Sequence, residues 1–378
     1  MLDGLGHGAD RTGGAGAGRG SHRPAVTVGA VPTTAVPLAD LTTLRLGGPA
    51  RHLVRATDAG SAADAVREAD AAGEPLLVVG GGSNLVVADA GFDGTVVRLE
   101  SRGHTVTDGL VRAEAGQDWD ELVAATVDEG LGGFECLSGI PGSTGSTPVQ
   151  NVGAYGVEVS DLLVDADVLD RATGTVSTVP AAELRLGYRT SRLKHADREV
   201  VLAARFRLTT DGLSAPVRYA ELARVLDIEQ GTRAPVADVR TAVLELRRGK
   251  GMVLDPDDHD TWSAGSFFTN PIVGTDAADE VARRVAALDQ RPVTAWPTED
   301  GRVKLSAAAL IERAGVPRGH PGPDSPVRVS TRHTLALTNR GGGTTAQLLD
   351  LARDVRDRVE SAFGVRLVPE PVLCGCTL

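Results

Sequence analysis

Apolar side chains recur at helical spacing in several stretches of the chain. Between 345 and 363, Leu348, Leu349, Leu351, Ala352, Val355 and Val359 form a broad stripe closed by Phe363 and Gly364, which predicts one long helix packed on a core. Helices are also predicted over 61–72, stopped by Gly73, and over 235–248, 276–289 and 306–314. Asp118-Trp119-Asp120-Glu121 reads as a capping box; the helix behind it presents Trp119, Leu122, Val123, Thr126 and Val127 on one side and stops at Gly130. Apolar runs at 75–79, 95–99, 164–170, 175–179 and 200–208 predict strands.

Short strands mixed with short helices, without strict alternation, predict an α+β fold. A polar, turn-rich connection at 210–235, with Pro216, Gly231 and Pro235, divides the chain into regions 38–210 and 211–378. Eight of the first twenty residues are Gly, so residues 1–30 are expected to form a disordered leader that cannot offset its ordering entropy.

At 378 residues and 42% hydrophobic, the chain has material for two or three packed regions. A formal charge of −11 argues against a nucleic-acid or anionic-membrane surface, so an anionic ligand must meet local positive charge. No run approaches the roughly 18 apolar residues of a membrane helix. The N-terminus also lacks the apolar core of a secretory signal. The three cysteines, Cys136, Cys374 and Cys376, have no metal-ligand company and suit a reducing cytoplasm. Asp255, Asp257, Asp258, His259 and Asp260 are read as solvated loop groups and not as a metal site. His52, His104, His195, His320 and His333 are scattered without ligand spacing and are read as structural.

Two glycine runs change this picture. Gly80-Gly81-Gly82-Ser83-Asn84 follows the apolar 76–79 segment, and 138–156 packs glycines, hydroxyls and amides into a turn-dense stretch with almost no charge. Successive turns with free backbone N–H groups make concave donor surfaces for phosphate oxygens, and two such cradles imply a large phosphate-bearing ligand. Neither run is the Gly-x-Gly-x-x-Gly fingerprint of a Rossmann fold, and plain surface loops are the ordinary alternative.

Six segments stand in order: 42–50 (Thr-Thr-Leu-Arg-Leu-Gly-Gly-Pro-Ala), the 80–85 turn, the 139–156 run, 187–191 (Gly-Tyr-Arg-Thr-Ser), 264–271 (Ala-Gly-Ser-Phe-Phe-Thr-Asn-Pro) and 367–371 (Leu-Val-Pro-Glu-Pro). Together they resemble the UDP-N-acetylenolpyruvoylglucosamine reductase family. The resemblance spans about residues 41–376. It implies a vanillyl-alcohol-oxidase-type (PCMH-type) FAD-binding half of two subdomains, then a C-terminal α+β substrate-binding domain whose last segment returns to the flavin half. The implied reaction is NADPH-dependent and FAD-mediated: UDP-N-acetylglucosamine enolpyruvate is reduced to UDP-N-acetylmuramate for peptidoglycan synthesis in the cytoplasm, by a monomer. Hydride passes from flavin N5 to the vinyl carbon.

By the same resemblance Ser266 donates the proton, Arg189 holds the enolpyruvyl carboxylate through its rigid fork, and Glu370 assists the enol system from the other side. FAD contacts are expected from Gly80, Gly81, Gly82, Ser83, Asn84 and Leu85, from Gly139, Ile140, Pro141, Gly142, Ser143, Gly145 and Ser146, and from Gln150, Asn151, Gly153 and Ala154. Tyr155, Tyr188, Tyr219, Lys250 and Asn270 are expected on the substrate, with Tyr219 on a lid found in the longer family type. Thr144, Ser146 and Thr147 depart from the family's small apolar residues; their hydroxyls either meet phosphate or close a turn. The rival reading is a flavoprotein oxidase of the same fold, which would need neither Ser266 nor Glu370. A silent nucleotide-sugar binder is a third.

Overall fold

The structure is a computed structural model describing residues 36–378 apart from His195, Asp289 and Gln290. The expected leader at 1–30, and the readings that fall on His195 and Asp289, lie outside the described residues. Three strands, Ala50–Ala56, Phe92–Leu99 and Leu76–Val79, form a parallel sheet with Phe92–Leu99 in the centre. Five more form an antiparallel sheet in the order Thr175–Pro180, Leu163–Asp170, Glu199–Arg207, Leu110–Glu114, His104–Thr107.

The helix Ala59–Ala72 sits between the two sheets. Its small face, with Ala62, Ala63, Ala65 and Val66 buried, packs with Val97 of the parallel sheet and Leu169, Val200 and Leu202 of the antiparallel one. Its start lies two residues before the predicted one because Asp58 caps it: the carboxylate accepts from Ser61 N at 2.8 Å, and Asp58 N donates to the Ser61 hydroxyl at 3.2 Å. The helix Trp119–Asp128 keeps only half of its expected box. Asp118 accepts from Glu121 N at 3.0 Å, but the Glu121 carboxylate turns to Arg102 at 2.7 Å.

Trp119, Phe134 and Phe206 meet edge-to-face at 4.8–6.0 Å in the largest buried cluster. That cluster continues through Val217, Leu222, Val236, Val239 and Val243, so apolar packing is unbroken across residues 210–211 and takes in the helices Ala220–Val225 and Val236–Gly249. A second cluster forms around the helix Thr345–Phe363, whose predicted stripe is buried. It joins the helices Thr275–Leu288 and Ala307–Arg313 to Leu44, Leu46 and Val86 from the other end of the chain.

Two connections position the site. Leu76–Val79 runs straight into the first glycine turn, and the next strand, Leu85–Val87, pairs in parallel with Val372–Cys374 near the C-terminus. Val372 N donates to Asn84 O at 2.9 Å, which stitches the C-terminal segment to that turn.

Candidate active site

The two glycine runs meet backbone to backbone and together line one cavity of about 600 Å³. A Cβ on Gly81 would stand 2.3 Å from Gly142 Cα, and one on Gly82, at φ +65°, would stand 1.8 Å from Leu41 O. Only glycine allows this approach of backbone to backbone. The second run is pinned on the start of the 119–128 helix: Thr144 N donates to Gln117 O at 2.8 Å and Trp119 N to Gly142 O at 3.1 Å. The added hydroxyls mostly close this turn. Thr144 Oγ1 donates to Gln117 O at 3.1 Å, Thr147 Oγ1 to Thr144 O at 2.8 Å and Ser146 Oγ to Ser143 O at 2.6 Å.

Gly80–Leu85, Ile140–Ser143, Gly145, Ser146, Gln150, Gly153 and Ala154 all line the cavity. Gly139 and Asn151 do not. Gly139 N donates to Asp120 at 2.6 Å and Gly139 O accepts from Arg247 at 3.3 Å, so its polar groups are used within the protein. Asn151 donates to Glu158 at 2.8 Å and to Gly187 O at 3.1 Å, and accepts from Ser160 N at 2.8 Å, which ties it to the turn carrying Arg189. The two glycine runs give their part of the wall closely approaching, donor-bearing backbone, which fits an elongated diphosphate cofactor such as FAD.

Arg189, Ser266 and Glu370 come from three distant segments and line this same cavity. Arg189 sits in a tight turn at φ +53°, a conformation costly for a bulky residue and held by its surroundings. Its Nη2 donates to Gly153 O at 2.6 Å, its Nε stands 3.4 Å from Glu370 Oε1, and Glu158 lies 3.7 Å from Nη1. Glu370 N donates to Phe267 O at 2.9 Å, so Glu370 is held beside the residue that follows Ser266. Burial pushes the Glu370 carboxyl above the usual range, partly opposed by Arg189 and Lys194. Burial likewise raises Glu158, against Arg189.

Tyr155, Tyr219 and Lys250 cluster at another part of the wall. Tyr155, at φ +50° in the two-residue turn between Gly153–Ala154 and Val157–Glu158, meets Tyr219 edge-to-face at 5.3 Å. Burial pushes its phenol up to about 12. Lys250 Nζ lies 5.9 Å from the Tyr155 ring centre and pairs with Glu221 at 2.6 Å. Tyr219 is 44% exposed, at the cap of the Ala220–Val225 helix, which suits a cover more than a core residue. Tyr188 and Asn270 stand outside the lining. Asn270 accepts from Ala307 N at 3.0 Å, while Lys304 Nζ lies 4.6 Å from the centre of the Tyr188 ring.

A family model described as the C-terminal domain of UDP-N-acetylenolpyruvoylglucosamine reductase matches residues 255–374, and an FAD-binding domain model matches residues 50–179. The UDP-N-acetylenolpyruvoylglucosamine reductase of Saccharopolyspora erythraea is 66% identical over 358 residues, 93% of this chain and 98% of that protein. That of Thermobifida fusca is 55% identical over 350 residues, 91% of this chain and 98% of that protein. This chain belongs to the UDP-N-acetylenolpyruvoylglucosamine reductase family. The crystal structure of the reductase from Thermus caldophilus superposes with a TM-score of 0.60 at 25% identity, over 90% of this chain and 98% of that one. The architecture is thus α+β, a PCMH-type FAD-binding domain followed by the family's C-terminal domain.

This family member carries three cavity residues that the sequence reading did not place. Arg247 is buried, donates to Met252 O at 2.7 Å, and has an Nε without a partner; burial depresses its guanidinium. In the sequence it looked like one of several basic residues at a helix end. His333, read as structural, lines the cavity, and burial together with Lys250 and Arg318 pushes its imidazole down to about 4. Lys194 lies half-buried between Arg189 and Glu370. No pattern in the sequence marks it.

Proposed function

We infer that this chain carries out the FAD-dependent reduction of UDP-N-acetylenolpyruvoylglucosamine to UDP-N-acetylmuramate in peptidoglycan synthesis, with NADPH as the electron source. The observation that carries the reading is the opening of Ser266, Arg189 and Glu370 onto the same cavity as the two glycine runs. Bound FAD supplies the hydride chemistry.

The glycine runs hold the cofactor's diphosphate through backbone donors, and the absence of side chains lets it lie close to the main chain. Arg189 binds the carboxylate of the enolpyruvyl group and stabilises the charge that spreads onto it once the vinyl carbon has accepted hydride. Its link to Gly153 O fixes the direction of the fork. The Ser266 hydroxyl then gives its proton to the carbon bearing the ether oxygen, which completes the addition of one hydride and one proton across the double bond. Glu370, whose protonated form burial favours against Arg189 and Lys194, donates a hydrogen bond to the same system. Lys250 and Tyr219, with Tyr155, engage the nucleotide-sugar diphosphate, and Lys250 exchanges Glu221 for phosphate as the Tyr219 segment covers the ligand. Tyr188 and Asn270 act from behind Arg189 as a brace.

The division into a flavin-binding half up to 210 and a substrate-binding domain from 211 is part of the proposal. Val236, Val239 and Val243 of the second region pack in the first region's core across that division. A cytoplasmic monomer is proposed with it, consistent with three free thiols.

The test is anaerobic. Purified protein should be yellow, should lose flavin absorbance on adding NADPH, and should regain it on adding the enolpyruvyl nucleotide sugar. Reoxidation by oxygen alone, with an alcohol as donor, overturns the reading in favour of an oxidase.

A further inference from the structure

Two groups that must face one substrate carbon skeleton, Arg189 and Glu370, come from distant segments of the chain, and a single ammonium bridges their backbones. Lys194 Nζ donates to Arg189 O at 3.1 Å and to Glu370 O at 3.2 Å, the latter 176 residues away in sequence. Asn84 Nδ2 shares the Glu370 carbonyl at 3.4 Å. Lys194 itself lines the cavity, and burial pulls its ammonium below the usual lysine range. A half-buried charge of this kind is costly unless its donors are used, and two of the three are spent on these carbonyls.

We propose that Lys194 is a positioning residue that sets Arg189 and Glu370 against each other at the reacting end of the cavity. The inference rests on the function proposed above. Two effects follow from the geometry. Arg189 occupies a left-handed conformation, and a donor on its own carbonyl is one of the contacts that hold it there. The ammonium also lies close enough to favour the ionised form of Glu370, against burial. The groups facing that carboxyl are the Arg189 guanidinium from the 187–190 turn, Lys194 from the segment that follows, and the Tyr188 phenol; Glu158 acts on it through Arg189. Removing Lys194 therefore leaves Glu370 protonated to higher pH and Arg189 freer to turn.

Lys194→Met keeps the stem and removes donors and charge. The expected result is NADPH reduction of the flavin within about twofold of the parent, while reoxidation by the enolpyruvyl nucleotide sugar slows by about ten- to hundredfold. The pH limb of reoxidation that belongs to Glu370 should move upward, by about half a unit or more. The infrared carboxyl band that disappears in Glu370→Gln should titrate upward in parallel without substrate present. Lys194→Arg should restore part of each change, and Lys194→Met placed on Glu370→Gln should produce no shift of a pH limb. Should the methionine variant not fold, Lys194→Gln carries the same expectations. An unchanged reoxidation rate, or equal losses in both half-reactions with the carboxyl band unmoved, overturns the inference. Failure of the parent protein itself to reoxidise overturns the proposed function and this inference with it.

Discussion

The two ends of the cavity are built by opposite means. The glycine end is made of backbone from two runs that meet at Gly81 and Gly142. The other end gathers Arg189, Lys194, Ser266 and Glu370 from segments that share no local motif. The first holds a ligand by shape and peptide donors; the second acts on it through charge and proton transfer. Damage to the first should therefore cost affinity, and damage to the second should cost rate.

Ser266→Ala should give the largest effect and the cleanest break between the two ends. Reoxidation by the enolpyruvyl sugar is expected to slow by about 10²–10⁴-fold with flavin content and NADPH reduction retained, as read by anaerobic stopped-flow absorbance. Loss of flavin in this variant would mean that the ends are not independent.

Gly81→Ala reverses the pattern. Its Cβ meets Gly142 Cα at 2.3 Å, backbone against backbone, so overpacking of about 1–3 kcal/mol should weaken FAD binding roughly ten- to hundredfold. Flavin content and a fluorescence titration check this; full occupancy and unchanged affinity would show that the runs can part freely.

Glu370→Gln sharpens the comparison through pH. Burial lifts the carboxyl above its unfolded value near 4.3, so the group's contribution to stability is full below that value and is lost as pH climbs through the raised folded value. The glutamine variant should gain Tm relative to the parent as pH rises above about 4, while reoxidation slows by about tenfold or more. A Tm difference that does not depend on pH would contradict the upward shift of the buried carboxyl.

His333→Gln should have the smallest effect. The imidazole, held down to about 4 by burial and neighbouring cations, contributes stability above its unfolded value near 6.5 that is lost as pH falls through its folded value. Thermal scans should show a shallower loss in His333→Gln than in the parent from about pH 6.5 to pH 4; identical slopes would contradict it.

The long elements were legible because each carries its own punctuation. Thr345–Phe363 matches the predicted 345–363, with a buried stripe and an added Thr344–Gln347 capping box, and Val236–Gly249 lies one residue from the predicted 235–248. The strands with an apolar run were legible too, as Leu76–Val79, Phe92–Leu99, Leu163–Asp170, Thr175–Pro180 and Glu199–Arg207, but strands without one were not. Ala50–Ala56 reads Ala-Arg-His-Leu-Val-Arg-Ala, with burial at its two ends and no alternation, because its pairing is with Phe92–Leu99 and not with anything nearby in sequence. Val372–Cys374 was hidden in the same way by its partner Leu85–Val87. In the site, the glycine runs were visible as composition, and Ser266, Arg189 and Glu370 through family motifs. Lys194 and Arg247 were invisible, since a basic residue in a polar stretch looks the same whether it faces water or a buried carbonyl.

The amino-acid order alone determined where the chain must turn tightly, which helices have a core-facing side, and that two charge-free glycine cradles lie in the first half. These are short-range properties, decided within a few residues by φ preference, capping and periodicity. Only the tertiary structure decided that the two cradles share one cavity, that Glu370 returns to the first glycine turn, and that one lysine spans the carbonyls of Arg189 and Glu370. Those outcomes depend on packing between segments far apart along the chain, for which no local pattern exists.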